Sequence, residues 1–182
     1  MNINAQMEEF KLLLLNPAKL IKGVNDETID NNSLLIIIIF TFAYVFIQAG
    51  DFDYSSIMAL LKIIAIFVVS LIMTVVLVML RSLIINWISS MFNKKDAAKN
   101  LRFAVSYSVF PLIFALLTQY FFPENYVTLA VLALLVGWSY LILILMLMAV
   151  KPVNLWQSLL SILVSDMVLL VPMIFLSSLF MQ

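Results

Sequence analysis

IMALLKIIAIFVVSLIMTVVLVML, Ile57 to Leu80, is a run of 24 residues in which Lys62 is the single charge. A helix needs about 20 predominantly apolar residues to cross a hydrocarbon core roughly 30 Å thick, so this stretch is long enough to span a membrane by itself. It shows none of the in-and-out alternation of a barrel strand, which crosses in about 10 residues. Lipid offers the backbone no hydrogen-bond partners, and an unbroken apolar run of this length therefore means helix. Neither Pro nor Gly occurs between Ile57 and Phe92. The helix is expected to continue past the bilayer, to roughly 50 Å at 1.5 Å per residue.

Four more stretches read the same way. With the first they give spans at about 34–49, 57–80, 101–122, 127–150 and 155–180 of the 182-residue chain. Hydrophobic residues make up 65% of the sequence and charged residues 11%, against roughly 45–50% and 25% in soluble domains. The mean hydropathy is +1.15. The fold class expected is all-α: a polytopic integral membrane protein with five transmembrane helices and an N-terminal interfacial amphipathic helix. Residues 1–33 form the N-terminal segment and linker, and 34–182 the transmembrane domain.

Orientation follows from the bias of Lys and Arg toward short cytoplasmic loops. Lys11, Lys19 and Lys22 precede the first span, Arg81, Lys94, Lys95, Lys99 and Arg102 bracket the second connection, and Lys151 lies in the fourth. Asp51, Asp53 and Glu124 mark the opposite loops, which carry no cation. This places the chain in the cell membrane with its N-terminus cytoplasmic and its C-terminus outside. Trp87, with Arg81 and Lys94, is expected at the inner interface.

Before the first span, Met7, Phe10, Leu13, Leu14, Leu20 and Ile21 recur at helical spacing, which suits a helix lying on the inner membrane surface. Asn16-Pro17 places a capping residue before a proline at the first helical position, and Gly23 supplies a stop. The polar run from Gly23 to Ser33 cannot bury enough surface to order itself and reads as a linker. Met1 to Glu9 lacks the basic region of a secretory signal, so the first span is expected to be retained.

A Leu-Asn16-Pro17 segment ahead of the first span, Tyr107-x-x-x-Pro111 in the third, Trp138 in the fourth and Trp156-Gln-Ser158 opening the fifth together resemble the Yip1 family of five-span membrane proteins. The resemblance implies a five-span membrane fold. Eukaryotic members associate with small GTPases, through a longer N-terminal region with an Asp-Leu-Tyr-Gly-Pro motif that this sequence lacks. Some bacterial relatives accompany ABC-type exporters, and the short loops and Ile/Asn/Lys-rich usage look bacterial. The partners implied are the lipid bilayer and another integral membrane protein, an ABC-type exporter first among them, with no nucleic acid.

Residues that carry chemistry are few. Asp166 falls about eleven positions into the fifth span, roughly mid-bilayer at 1.5 Å per residue. An ionised Asp there costs at least about 2.5–3.5 kcal/mol, so it must be paired, protonated or functional. Its neighbours three and four positions away are Ile162, Leu163, Leu169 and Leu170. A partner must come from another helix. Lys62 is the leading candidate, with snorkelling toward Asp51 and Asp53 as its alternative. Tyr140, Ser139 or Trp138 would instead satisfy a neutral Asp166. Such a contact serves structure, a proton or ion relay, or partner binding.

Ser158, Ser161 and Ser165 share one face of the fifth helix, a small-residue stripe that lets helices approach closely. Pro111 and Pro172 each remove a helical hydrogen bond and predict kinks in the third and fifth spans. An enzyme finds no support. The chain has no His and no Cys, which excludes Ser–His dyads, thiol nucleophiles and the usual zinc sites. Three Gly in all leave no phosphate-binding loop, and no cofactor or metal site is expected. Two classes remain: a non-catalytic accessory or scaffold subunit that docks another membrane protein, and a small autonomous transporter or channel using Asp166 and Lys62.

Overall fold

The computed structural model describes residues 11–12, 16–23, 26–48, 57–93, 98–122 and 124–180. Every regular element among them is a helix: α1 (Pro17–Gly23), α2 (Asp26–Gln48), α3 (Ile57–Ser90), α4 (Ala98–Ser108), α5 (Phe110–Phe121), α6 (Tyr126–Val150) and α7 (Leu155–Phe180). Three helical stretches are long and apolar enough to cross a membrane, Ile57–Ser90, Asn100–Phe121 and Tyr126–Val150. Asn32–Gln48 and Leu155–Val171 are shorter apolar helices.

Local chemistry sets the boundaries. Asn16 caps α1, its side-chain oxygen accepting from the Lys19 N–H at 3.1 Å. Asn125 caps α6 by accepting from Thr128 N–H at 2.9 Å. Before α7, Asn154 Oδ1 accepts from Gln157 N–H at 2.9 Å while Gln157 Oε1 accepts from Asn154 N–H at 3.0 Å, a reciprocal capping box.

Two expectations about local structure are corrected. The polar stretch after Gly23 is helical from Asp26 onward, because it extends α2 by direct propagation from the apolar run behind it. Adding a residue to an existing helix costs no new nucleus. Where a kink at Pro111 was expected, the stretch is divided into two helices, α4 and α5, with a turn at Val109. Pro111 has no N–H to return to Tyr107, and the chain answers with shorter-range bonds: Val109 N–H to Ser106 C=O at 3.2 Å and Leu112 N–H to Val109 C=O at 2.9 Å. α7 remains one helix across Pro172.

α4 and α5 form the centre. α4 packs against α3, α6 and α2, and α5 packs against α6 and α2. α7 rests on α3 and, less extensively, on α6. The core gathers at the end where α1 lies: Leu20 and Ile21 of α1, Ile85 of α3, Leu101, Phe103 and Ala104 of α4, Met146 and Leu147 of α6, and Ile162 of α7 belong to one buried cluster. α1 therefore packs on α6 and α4, with Leu20 and Ile21 turned into protein. Toward the opposite end α5 stays packed on α6 and α2, while α3 is left exposed. Only 6% of the most apolar window of α3 is buried, against 61% for Asn100–Phe121.

A candidate polar site between three helices

Arg81 is the first polar residue after the apolar run of α3, yet nine more helical residues follow it, ending at Ser90. At 1.5 Å per residue it stands roughly 14 Å inside the helix end. Asp166 lies eleven residues into α7, roughly 17 Å from its start. The two depths match, and the side chains meet. Arg81 Nη2 donates to Asp166 Oδ2 at 2.9 Å, and Nε stands 2.8 Å from Oδ1 as an ion-pair contact without hydrogen-bond geometry. Tyr140, ten residues before the end of α6, donates its hydroxyl to Asp166 Oδ2 at 2.6 Å. Its ring centroid lies 5.9 Å from Arg81 Cζ. The Arg81 and Asp166 side chains are 18% and 20% exposed.

Of the residues singled out in the sequence, the structure brings Asp166 and Tyr140 together and leaves Lys62 apart. Lys62 is exposed on α3, nineteen residues before Arg81 and so roughly 28 Å up the helix axis. The cation at Asp166 is Arg81, which the loop bias alone assigned to the interface. Its signal was present: an α3 free of Pro and Gly down to Phe92 carries Arg81 inside the bundle rather than to its rim. Ser139, one residue before Tyr140, donates instead to the Ser108 carbonyl at the α4–α5 turn. Ser108 itself donates to the Val105 carbonyl at 2.7 Å. The broken third span is thus cross-linked to α6.

Ser158, Ser161 and Ser165 are all fully buried. Ser161 donates back to the Gln157 carbonyl at 2.7 Å, and Ser165 reaches the Arg81 carbonyl at 3.4 Å. The Ser158 hydroxyl has no partner among the described residues. Pro111 is buried at the second position of α5. The side chain of Pro172 lies outside the described residues, as do Asp51, Asp53, Lys94 and Lys95.

A second cation is also interior. Lys151 is fully buried, and its ammonium donates to the Asn86 carbonyl at 3.0 Å and to Ser90 Oγ at 2.8 Å. It ties the α6–α7 connection to the C-terminal turn of α3, where the helix dipole favours positive charge. The sequence reading counted it as a loop charge. Its position directly after the apolar α6 and before Pro152 is the one hint that the chain turns too tightly there to leave the side chain in water.

Beside the triad opens a cavity of about 510 Å³, lined by Phe40, Thr74, Arg81, Val136, Tyr140 and Asp166 among others. The arrangement is an internally neutralised polar centre set in apolar walls.

The family profile of the Yip1 domain matches residues 11–179. The chain belongs to the Yip1 family. That match covers every described helix but the last residue of α7, so the triad is part of the family domain. No curated protein and no solved structure matches the chain.

Proposed function

We propose that this Yip1-family chain is a non-catalytic integral-membrane subunit that crosses the bilayer five times and docks another membrane protein. The observation that carries the reading is α3. Its first two-thirds, from Ile57 to Val76, present exposed Ile, Leu, Val and Met, while the core forms at the other end of the bundle. A helix held by its last turns leaves a long apolar face for the transmembrane helix of a partner. Asp166 supports the non-transporting side of the proposal. Its charge is cancelled by Arg81 within the same chain, and a relay needs a carboxylate that gains and loses a proton in turn. The serine face of α7 then serves intramolecular packing. An ABC-type exporter is the partner the family resemblance puts first, with the N-terminus cytoplasmic and the C-terminus outside.

The test is purification in mild detergent from native membranes, followed by identification of bound membrane proteins. Recovery with an ATPase-coupled permease, lost when Ile64→Trp and Val68→Trp crowd the α3 face, supports the proposal. A homogeneous monomer from native membranes overturns it. The second reading, a small autonomous transporter, draws on the cavity beside Asp166 and no longer on Lys62. Saturable flux in liposomes carrying this protein alone, abolished in Asp166→Asn, would put that reading first.

A further inference from the structure

We propose that the cavity beside Arg81 binds a long-chain, uncharged amphiphile whose polar end is a hydrogen-bond-accepting hydroxyl or carbonyl oxygen. Shape comes first. The cavity of about 510 Å³ lies within the range of roughly 300–1,000 Å³ typical of small-molecule sites. A second cavity of about 330 Å³ shares Phe40, Leu112 and Val136 with it and continues past Ala115 and Leu116 to Gln119. From Leu112 to Gln119 the α5 axis rises roughly 10 Å. The two cavities adjoin along Phe40, Leu112 and Val136, and together their lining is elongated and mostly apolar, with the charged Arg81 and Asp166 confined to one end. That is the outline of an extended chain with a polar terminus.

Access comes from the membrane. Among the lining residues Val136 is 42% exposed and Leu170 53% exposed, so the space opens sideways between helices at mid-span. Tyr140 stands ten residues from one end of α6 and fourteen from the other, roughly 15 Å and 21 Å along the axis. A ligand reaching this depth enters from lipid, not from water.

Polar bookkeeping then selects the head group. The guanidinium has five N–H donors, and Asp166 takes up only one side of the fork. The hydroxyl hydrogens nearby are already committed: Tyr140 donates to Asp166, Thr74 to the Ser70 carbonyl at 2.8 Å, and Ser139 to the Ser108 carbonyl. What remains to be given is N–H from Arg81, so the ligand must accept. An anionic head would compete with Asp166 for that guanidinium and leave net negative charge in lipid. A cation would meet a carboxylate already neutralised. A neutral hydroxyl or carbonyl oxygen fits without disturbing the pair. Straight-chain alcohols and isoprenoid quinones share this chemistry.

The experiment uses the full chain in mild detergent and a hexadecanol bearing a mid-chain diazirine. Irradiation should place the label on peptides containing Leu112 and Val136. Excess hexadecanol should compete, hexadecane should compete about tenfold more weakly, the factor set by one net hydrogen bond, and palmitate should not exceed hexadecane. Val136→Trp, at a half-exposed position, should suppress labelling while leaving the melting temperature in place. Competition by decylbenzoquinone stronger than by hexadecanol assigns the isoprenoid source, and the reverse order assigns the straight-chain source. Equal competition by hexadecane, preferential competition by palmitate, or label spread over Ile57 to Val76 without competition overturns the proposal. All three readouts stand in the unmodified protein.

Discussion

Removing one partner of the Arg81–Asp166 pair should destabilise the protein far more than removing both. The pair holds one charge-assisted hydrogen bond at 2.9 Å and a second ion-pair contact at 2.8 Å, and no more than a fifth of either side chain is exposed. Breaking a buried pair of this type costs about 3–5 kcal/mol, and a melting point moves by about 2–4 °C per kcal/mol at this chain length. The two singles are not equivalent. In Arg81→Met the stranded Asp166 can take up a proton and keep the Tyr140 hydrogen bond, which places this variant near 3 kcal/mol or about 6–12 °C. In Asp166→Leu the guanidinium cannot discharge itself, which places this variant near 5 kcal/mol or about 10–20 °C. The double variant should lie closer to the native protein than either single does, and with singles that add to about 8 kcal/mol this means a coupling of more than about 5 kcal/mol. Lys62→Met, on the exposed stretch of α3, should stay within about 0.5 kcal/mol. Thermal melts of the four variants in one detergent measure all of this. Additive singles, or a Lys62→Met loss comparable to that of Arg81→Met, would refute the assignment of the pair.

Two other outcomes follow from the same structure. Lys151→Met keeps the volume of the side chain but removes the donor to the Asn86 carbonyl and Ser90 Oγ; it should cost about 1–3 kcal/mol by thermal melt and speed amide exchange in the last turn of α3. In intact cells a membrane-impermeant thiol reagent should label Ser55→Cys and spare Asn93→Cys, since the chain has no other thiol; the opposite pattern reverses the proposed orientation.

How much of this was legible in the sequence depends on the range of the interaction. Helices α3 and α6 could be read directly, because a long apolar run in lipid has one backbone solution. The start of α1 followed from Asn16-Pro17, a contact of three residues. The helical start of α2 was hidden by composition, since Asp26 to Ser33 reads as unordered until the apolar run behind it is allowed to nucleate the helix. That Asp166 needs a partner followed from solvation alone. Which cation serves it did not, because Arg81 and Asp166 are 85 positions apart and their meeting is fixed by helix register and tilt. Lys62 looked suitable as the single charge between Ile57 and Leu80, but it stands 28 residues from Ser90 at the end of α3, whereas Asp166 stands eleven from Leu155 at the start of α7. The burial of Lys151 was equally beyond reach, because the loop bias treats every cation at a span's end as solvated.

The position of the triad also bears on how the last helix is held. Between helices in lipid the hydrophobic effect offers little, because the tails are as apolar as Leu, and association rests on close packing and polar contacts. α7 shows both devices on one face. Ser158, Ser161 and Ser165 are fully buried where α7 meets α3, and Asp166, the next residue, takes the guanidinium from α3 and the hydroxyl from α6. Met167, Val168, Leu170 and Val171 are exposed. Among the described side chains the triad is therefore the far end of a polar seam that begins at the Asn154–Gln157 cap, and from Met167 to Val171 α7 turns mostly outward. The cavity opens at the place where that seam stops. A neutralised pair at such a boundary can fix α7 in register and still offer its unused donors to whatever enters from the lipid, so the structural role and the ligand role require the same residue, Arg81, to remain charged and in place.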